Sequence, residues 1–180
     1  MKCCAVLWLC CICNLALAED FSARVIAVMD GDTVLALHDG QRIKLRLANI
    51  DAPEMSQDFG PAARLSLVEL VLLKPVRTTI VGVDKYQRLV AILRIAEHSI
   101  NEEQVRRGMA WASVRRQTGA AGKRGNATPQ NFSTVGLAAR DLIALQRQAK
   151  TAKRGLWGQA HPIPPWRWRK THPNSQQFAH

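Results

Sequence analysis

Residues 22–49 read SARVIAVMDGDTVLALHDGQRIKLRLAN, and their pattern decides how the rest of the chain must fold. The clearest part is 41–49. There Ile43, Leu45 and Leu47 fall on one side of an extended chain and Arg42, Lys44 and Arg46 on the other. That period of two is what a half-buried strand requires. Residues 22–29 and 32–38 read as two earlier strands. Asp30-Gly31 and Asp39-Gly40 separate the three, and Asp-Gly between apolar runs marks a tight hairpin because glycine accepts positive φ cheaply. The stretch is therefore a three-stranded meander.

Towards the C-terminus, Gly60-Pro61 opens a helix, with proline in the first turn where its missing N–H is tolerated. Ala62, Leu65, Val68 and Leu72 with their neighbours are expected to face the core, and Lys74-Pro75 to end the helix. Residues 76–83 and 88–96 read as strands four and five, joined by Asp84-Lys85-Tyr86-Gln87. Residues 100–107 read as a short helix stopped by Gly108. A last helix is expected from about Gly136 to Arg154 on Leu137, Leu142, Leu145, Ala149 and Ala152, closed by Gly155. Residues 115–133 lack periodicity and read as a basic loop. HPIPPWRWRK (161–170) reads as a Pro-rich, extended tail draped on the domain. Five strands with a helix between the third and fourth is the order of an OB-fold, a small barrel that commonly binds nucleic acids. The expected class is α+β, mainly β: a five-stranded OB-fold Greek-key barrel with about three helices over residues 19–160, followed by a tail, 161–180.

Lys2, the almost unbroken apolar run Ala5–Leu17 and the small-x-small Ala16-Leu17-Ala18 read as a secretory signal peptide over residues 1–18. The run is too short and wrongly flanked for a spanning helix. A retained N-terminal anchor is the alternative. The expectation is a secreted or periplasmic monomer without a stable membrane anchor. All five cysteines lie in that segment, so the chain from Glu19 on offers no disulfide, thiolate metal site or cysteine nucleophile. The 25 Lys and Arg against 14 Asp and Glu favour a polyanionic partner: nucleic acid, an anionic membrane surface or acidic polysaccharide.

The acids are placed unusually for so basic a chain. The second hairpin runs HDGQ, but the first runs MDGDT and adds Asp32, which turn chemistry does not need. Strand three ends in NIDAPE (49–54), with Asp51 and Glu54 on either side of Pro53. In a meander the first hairpin and the end of strand three can share one end of the sheet, so Asp32 and Asp51 could converge. Two such carboxylates repel unless a cation sits between them. Oxygen donors without Cys or His suit Ca²⁺ or Mg²⁺ rather than zinc. Pro53 forbids continuing the ladder, so the chain should turn and leave Glu54 to reach a water. Arg46 and Arg88 supply planar donors that match phosphate oxygens.

The stretches VMDGDTVLAL (28–37), IKLRLANIDAPE (43–54), FGPAA (59–63), DKYQRLVAIL (84–93), VRRGMAW (105–111), AKRGLWG (152–158) and PIPPWRWRK (162–170) together resemble the staphylococcal (thermonuclease-like) nuclease family, in its bacterial exported branch. The resemblance implies an OB-fold and Ca²⁺-dependent cleavage of DNA and RNA, with products ending in 3′-phosphate. It implies Asp32 and Asp51 as calcium carboxylates, with the Ala52 backbone carbonyl beside them, and Asp30 as an acid close to the ion. Glu54 matches the general base, Arg46 and Arg88 the phosphate-binding arginines, and Lys85 and Tyr86 residues that contact a nucleotide phosphate. One departure is GMAWASVRRQ (108–117): Ser113 stands where family members often carry tyrosines that pack on the base, and Tyr86 is the chain's single tyrosine. Arg115, Arg116, Lys123 and Arg124, or else Trp111, are expected to compensate. The alternative reading is a non-catalytic OB-fold module that only binds nucleic acid. Such a module has no need for Asp32, Asp51 and Glu54, which would repel phosphate in the absence of a metal.

Overall fold

The computed structural model describes residues 20–113 and 130–173. The meander is present as β1 (Asp20–Val28), β2 (Thr33–His38) and β3 (Gln41–Leu47). After the two-residue strand β4 (Ile50–Asp51) come helix α1 (Gly60–Val71) and strands β5 (Pro75–Val83) and β6 (Leu89–Ile95). Short strand β7 (His98–Ser99) leads into α2 (Ile100–Arg106), and β8 (Trp111–Ala112) follows. Helices α3 (Gln130–Thr151) and α4 (Pro165–Thr171) flank a 3-10 turn at Gly155–Gly158.

The strands run in the order β3-β2-β1-β5-β6, and β3 pairs again with β6, in parallel, to close a five-stranded barrel. Its register places Arg46 opposite Val90. This is the OB-fold that the element order predicts. Alternation places Val25, Val34, Leu45, Leu47 and Leu93 inside, all buried. β4 and β8 form a separate two-residue ribbon, Asp51 opposite Trp111.

Helix α2 ties the barrel to the loops at its end through two buried amides. Asn101 accepts from Leu93 N and donates to the carbonyls of Ala48 and Ala91. Gln104 donates to the carbonyls of Gly31 and Ala63 and accepts from Ser66 Oγ. Every polar atom of both amides is thus matched, as burial demands.

Four details correct the sequence reading. Helix α1 buries Ala63, Ser66, Leu67 and Val71, while Leu65 is exposed. The helix is apolar on most sides, so its periodicity did not select a face; the Ser66–Gln104 bond marks the inward one. Helix α3 begins at Gln130, within what reads as a loop, and Ala152 lies exposed beyond its end. Residues 115–129 lie outside the described residues, as do 1–18. Leu142, Leu145 and Ala149 face inward as expected. The tail is not extended throughout: Pro164-Pro165 starts α4, with a proline in the first turn where helices accept one, which makes four α-helices among the described residues.

The fourth correction concerns Gly31. Asp39 and Gly40 do adopt positive φ, 47° and 78°, as a two-residue hairpin needs. Gly31 does not. It is required because a Cβ there would lie 2.6 Å from Ala52 Cβ and 2.7 Å from Ala63 Cβ. Gly31→Ala must push the hairpin off α1 and is expected to destabilise the fold by about 1–3 kcal/mol, read as a lower urea midpoint with an unchanged m-value.

Candidate active site

The residues to which the sequence assigns catalytic, cation-binding or phosphate-binding roles line one cavity of about 290 Å³: Asp30, Asp32, Arg46, Asp51, Ala52, Glu54, Lys85, Tyr86 and Arg88. Lys44, Pro53 and Arg169 complete it. Trp111 and Ser113 do not line it, and Arg115, Arg116, Lys123 and Arg124 lie outside the described residues. A larger depression beside α1, about 510 Å³, is lined by Leu65, Glu69, Arg107 and Arg154 among others. It gathers no carboxylate cluster, and its Arg107 is already paired with Glu69 at 3.1 Å and Glu103 at 3.0 Å.

The carboxylates come from the first hairpin, from β4 and from the turn that follows it. Asp32 ends the first hairpin, where Asp30 Oδ1 accepts its N–H at 2.9 Å. Asp32 Oδ2 accepts Ala52 N at 2.7 Å, which stitches that hairpin to β4. Asp51 lies in β4, one residue ahead of the stitch. Glu54 sits in the turn after Pro53, where Gln57 Oε1 accepts its N–H at 3.2 Å. Gly60 packs so closely on this turn that a Cβ there would meet the Glu54 carbonyl.

Asp32 and Asp51 converge, but they are not unpaired. Arg46 bridges them, Nη1 at 2.9 Å from Asp32 Oδ2 and Nη2 at 3.1 Å from Asp51 Oδ1. Arg169 of α4 reaches the same place from the far end of the chain. Its Nη2 lies 2.8 Å from Asp51 Oδ2, and its Nη1 lies 2.7 Å from Glu54 Oε1 and 3.2 Å from Asp51 Oδ1. The sequence reading missed Arg169. The only signal was an arginine-rich run in an otherwise Pro- and Trp-rich tail, and nothing local says where such a run docks.

Burial dominates the electrostatics. Asp32 and Asp51 are only 5% and 4% exposed. Burial pushes Asp32 up to about 7, with the charge of Arg46 opposing it and Asp30 adding to it. Asp51 and Glu54 are also raised by burial, although the hydrogen bonds from Arg169 work against that. For Arg169 burial disfavours the charge, and its bonds to Asp51 and Glu54 outweigh it, so its pKa rises. The site is a pocket of costly negative charge held in check by two guanidiniums.

Arg88, Lys85 and Tyr86 form the opposite rim. Asp84 organises them: its Oδ1 accepts the amides of Tyr86 and Arg88, and its Oδ2 takes Arg88 Nε at 2.7 Å. Burial would raise the Asp84 pKa, but these bonds outweigh it and lower it. Lys85 Nζ and the Arg88 guanidinium lie 4.7 and 5.3 Å from the centre of the Tyr86 ring, within cation–π range. Trp111 does not offer the base a stacking face. It is 6% exposed and packed against Trp157 and Trp166. Ser113 donates its N–H to Asn49 O.

Among the described residues, no group of three or more His, Cys, Asp or Glu side chains is arranged to hold a metal by itself. The donor set nevertheless fits a hard cation. Asp32, Asp51 and the Ala52 carbonyl are all oxygen, and water and phosphate oxygens would complete the coordination.

A closed OB barrel with buried acids and arginines at one end defines a candidate phosphate-handling protein. Residues 44–130 match the family described as Staphylococcal nuclease homologue. A Haemophilus influenzae protein called an uncharacterized endonuclease is 37% identical over 155 residues, 84% of this chain and 75% of that protein. One of the same description from Escherichia coli O157:H7 is 33% identical, covering 85% and 88%. A protein called micrococcal nuclease in Shigella flexneri is 31% identical, covering 87% and 84%. The chain belongs to the staphylococcal nuclease family.

Asp84 predicts a separable effect. Asp84→Ala should speed hydrogen exchange at the Tyr86 and Arg88 amides and lower stability by about 1–2 kcal/mol, with the amides of β1 and β2 still protected. Since the folded pKa is depressed, Asp84's contribution is present above the unfolded value and lost as pH falls through the folded one. Wild type should therefore approach the variant only in strong acid.

Proposed function

We propose that the protein is an exported, Ca²⁺-dependent endonuclease that hydrolyses DNA and RNA and leaves 3′-phosphate ends. The observation that carries this reading is the convergence of Asp32, Asp51 and Glu54 with Arg46 and Arg88 around one cavity. The family and its relatives named as nucleases support it, as does a chain carrying 25 Lys and Arg against 14 Asp and Glu. No described helix is long and apolar enough to cross a membrane. Export rests on the signal-peptide reading of residues 1–18.

Asp32, Asp51 and the Ala52 carbonyl would hold the calcium ion, which when bound supplies Lewis-acid stabilisation of charge on the phosphoryl oxygens. Glu54 is the general base. Burial lifts its pKa, and a base works best when its pKa approaches the operating pH. It takes a proton from a water, which attacks phosphorus in line and expels the 5′-oxygen. Arg88, held on the rim by Asp84, and Arg46, on the floor, donate to the phosphoryl oxygens as charge accumulates there. Lys85 and Tyr86 hold the neighbouring nucleotide phosphate.

Wild-type chain is to be incubated with single-stranded DNA with and without Ca²⁺, and the products sized and end-labelled. Cleavage to 3′-phosphate ends in Ca²⁺ alone is expected; equal products after chelation would remove calcium from the reading. Glu54→Gln should lower kcat by about 10²–10⁴-fold and leave Ca²⁺ affinity nearly intact, whereas Asp51→Asn should weaken Ca²⁺ binding. A wild-type rate in Glu54→Gln would refute the base assignment.

Arg88→Ala should depress kcat far more than substrate affinity; a loss confined to KM would make Arg88 part of a general basic face. It is the cleaner arginine to test. Arg46→Ala also strips Asp32 and Asp51 of a partner, and breaking a buried pair in this way costs about 3–5 kcal/mol in stability.

A further inference from the structure

The proposed chemistry needs Asp51 for the cation and Glu54 for the water, yet Arg169 holds both. One guanidinium grips both oxygens of Asp51 and one oxygen of Glu54, at 2.7–3.2 Å. A divalent cation at Asp51 would stand in contact with that fixed positive charge. An oxygen of Glu54 that accepts a bond from a permanent cation is also a poorer base.

The element that carries Arg169 is built to let go. Helix α4 has seven residues, far too few to be stable without outside contacts. Its first half is anchored. Pro165 is buried, the Gln57 side-chain amide donates to Ile163 O, and Trp166 rests edge-on against Trp111 at 6.4 Å. Trp166 and Arg169, three residues apart, share one face. Arg167 is exposed. Release of Arg169 would free the second half of the helix while these anchors keep it tethered. The barrel strands would be untouched, because none of them uses α4 for a ladder bond.

We propose that α4 is a latch: Arg169 competes with the divalent cation for Asp51 and with water for Glu54, so cation binding and release of the latch are coupled. The proposal rests on the reading of Asp51 as a cation ligand. In this arrangement the cation-free enzyme keeps its buried acids neutralised and its base occupied, and the cation that starts the chemistry also opens the site.

The test uses the protein with α4 intact, without nucleic acid. Ca²⁺ affinity is measured by calorimetry for wild type, Arg169→Gln and Arg167→Gln. Hydrogen exchange of the His172 amide, which donates to Trp168 O at the end of α4, is followed in wild type across the same titration, with the Arg167 amide of the anchored half as reference. The latch requires Arg169→Gln to bind Ca²⁺ at least about tenfold more tightly, since a charge-assisted pair no longer has to be broken. It requires Arg167→Gln to match wild type. It also requires exchange at His172 to rise with Ca²⁺ at the concentration that half-fills the site. The exchange arm needs no variant, so it holds even if Arg169→Gln folds poorly. Unchanged or weaker binding by Arg169→Gln, an equal gain from Arg167→Gln, or a His172 amide indifferent to saturating Ca²⁺ would each overturn the latch while leaving the cation reading in place. If neither wild type nor Arg169→Gln takes up Ca²⁺, the cation reading fails and the latch fails with it.

Discussion

The parallel pairing of β3 with β6 is the contact on which the rest of the molecule depends. Without it the strands form an open sheet with two exposed edges, a liability that closure removes. With it, Leu45, Leu47 and Leu93 become the inside of a barrel. The same pairing sets Arg46 opposite Val90, so Arg88, two residues before Val90, reaches the rim of the cavity whose floor holds Arg46. A register slip of one residue would turn Arg46 inward and Leu45 and Leu47 out. The core and the candidate site are therefore specified by one set of hydrogen bonds.

The site sits in tension with that core. Burying Asp32 and Asp51 is costly, and each is kept only because neighbouring donors match it. Arg46, the Ala52 amide and the Thr33 hydroxyl serve Asp32, and Arg46 and Arg169 serve Asp51. Glu54 lies nearer the surface and has one such donor, Arg169. Two short-range devices hold the acids at this distance: Gly31, which lets the first hairpin lie against Ala52 and Ala63, and Gln104, which fixes the Gly31 carbonyl from below. Both belong to packing, yet their effect is to place charge.

Much of this is legible in the sequence. Strand alternation in Arg42 to Leu47, the extra acid at Asp32 and the Pro53 break are local signals, and each corresponds to a feature of the site. Asp32 and Asp51 do converge, but the positive charge between and beside them includes Arg46 and Arg169, and no local pattern announces the second. On α1, Val68 packs against the core as expected but Leu65 does not, because nearly every side of that helix is apolar and periodicity singles out no face. Trp111 looked like a spare aromatic for a base, and its burial against Trp157 and Trp166 removes it from that role.

By itself the sequence determined the strands and their turns, the element order of an OB barrel and the residue types that gather at one end of it. These follow from periodicity, turn residues and motifs that act over a few positions. Only the tertiary structure decided which face of α1 is buried, why Gly31 must be glycine and what neutralises the acids. Those answers depend on pairs far apart in the chain, such as Gln104 with Gly31 and Arg169 with Asp51. Arg169 and Asp51 are 118 positions apart, and no local pattern encodes which arginine a buried carboxylate will meet. Closure of the barrel and docking of α4 bring them together, and the cost of an unpaired buried charge holds them there.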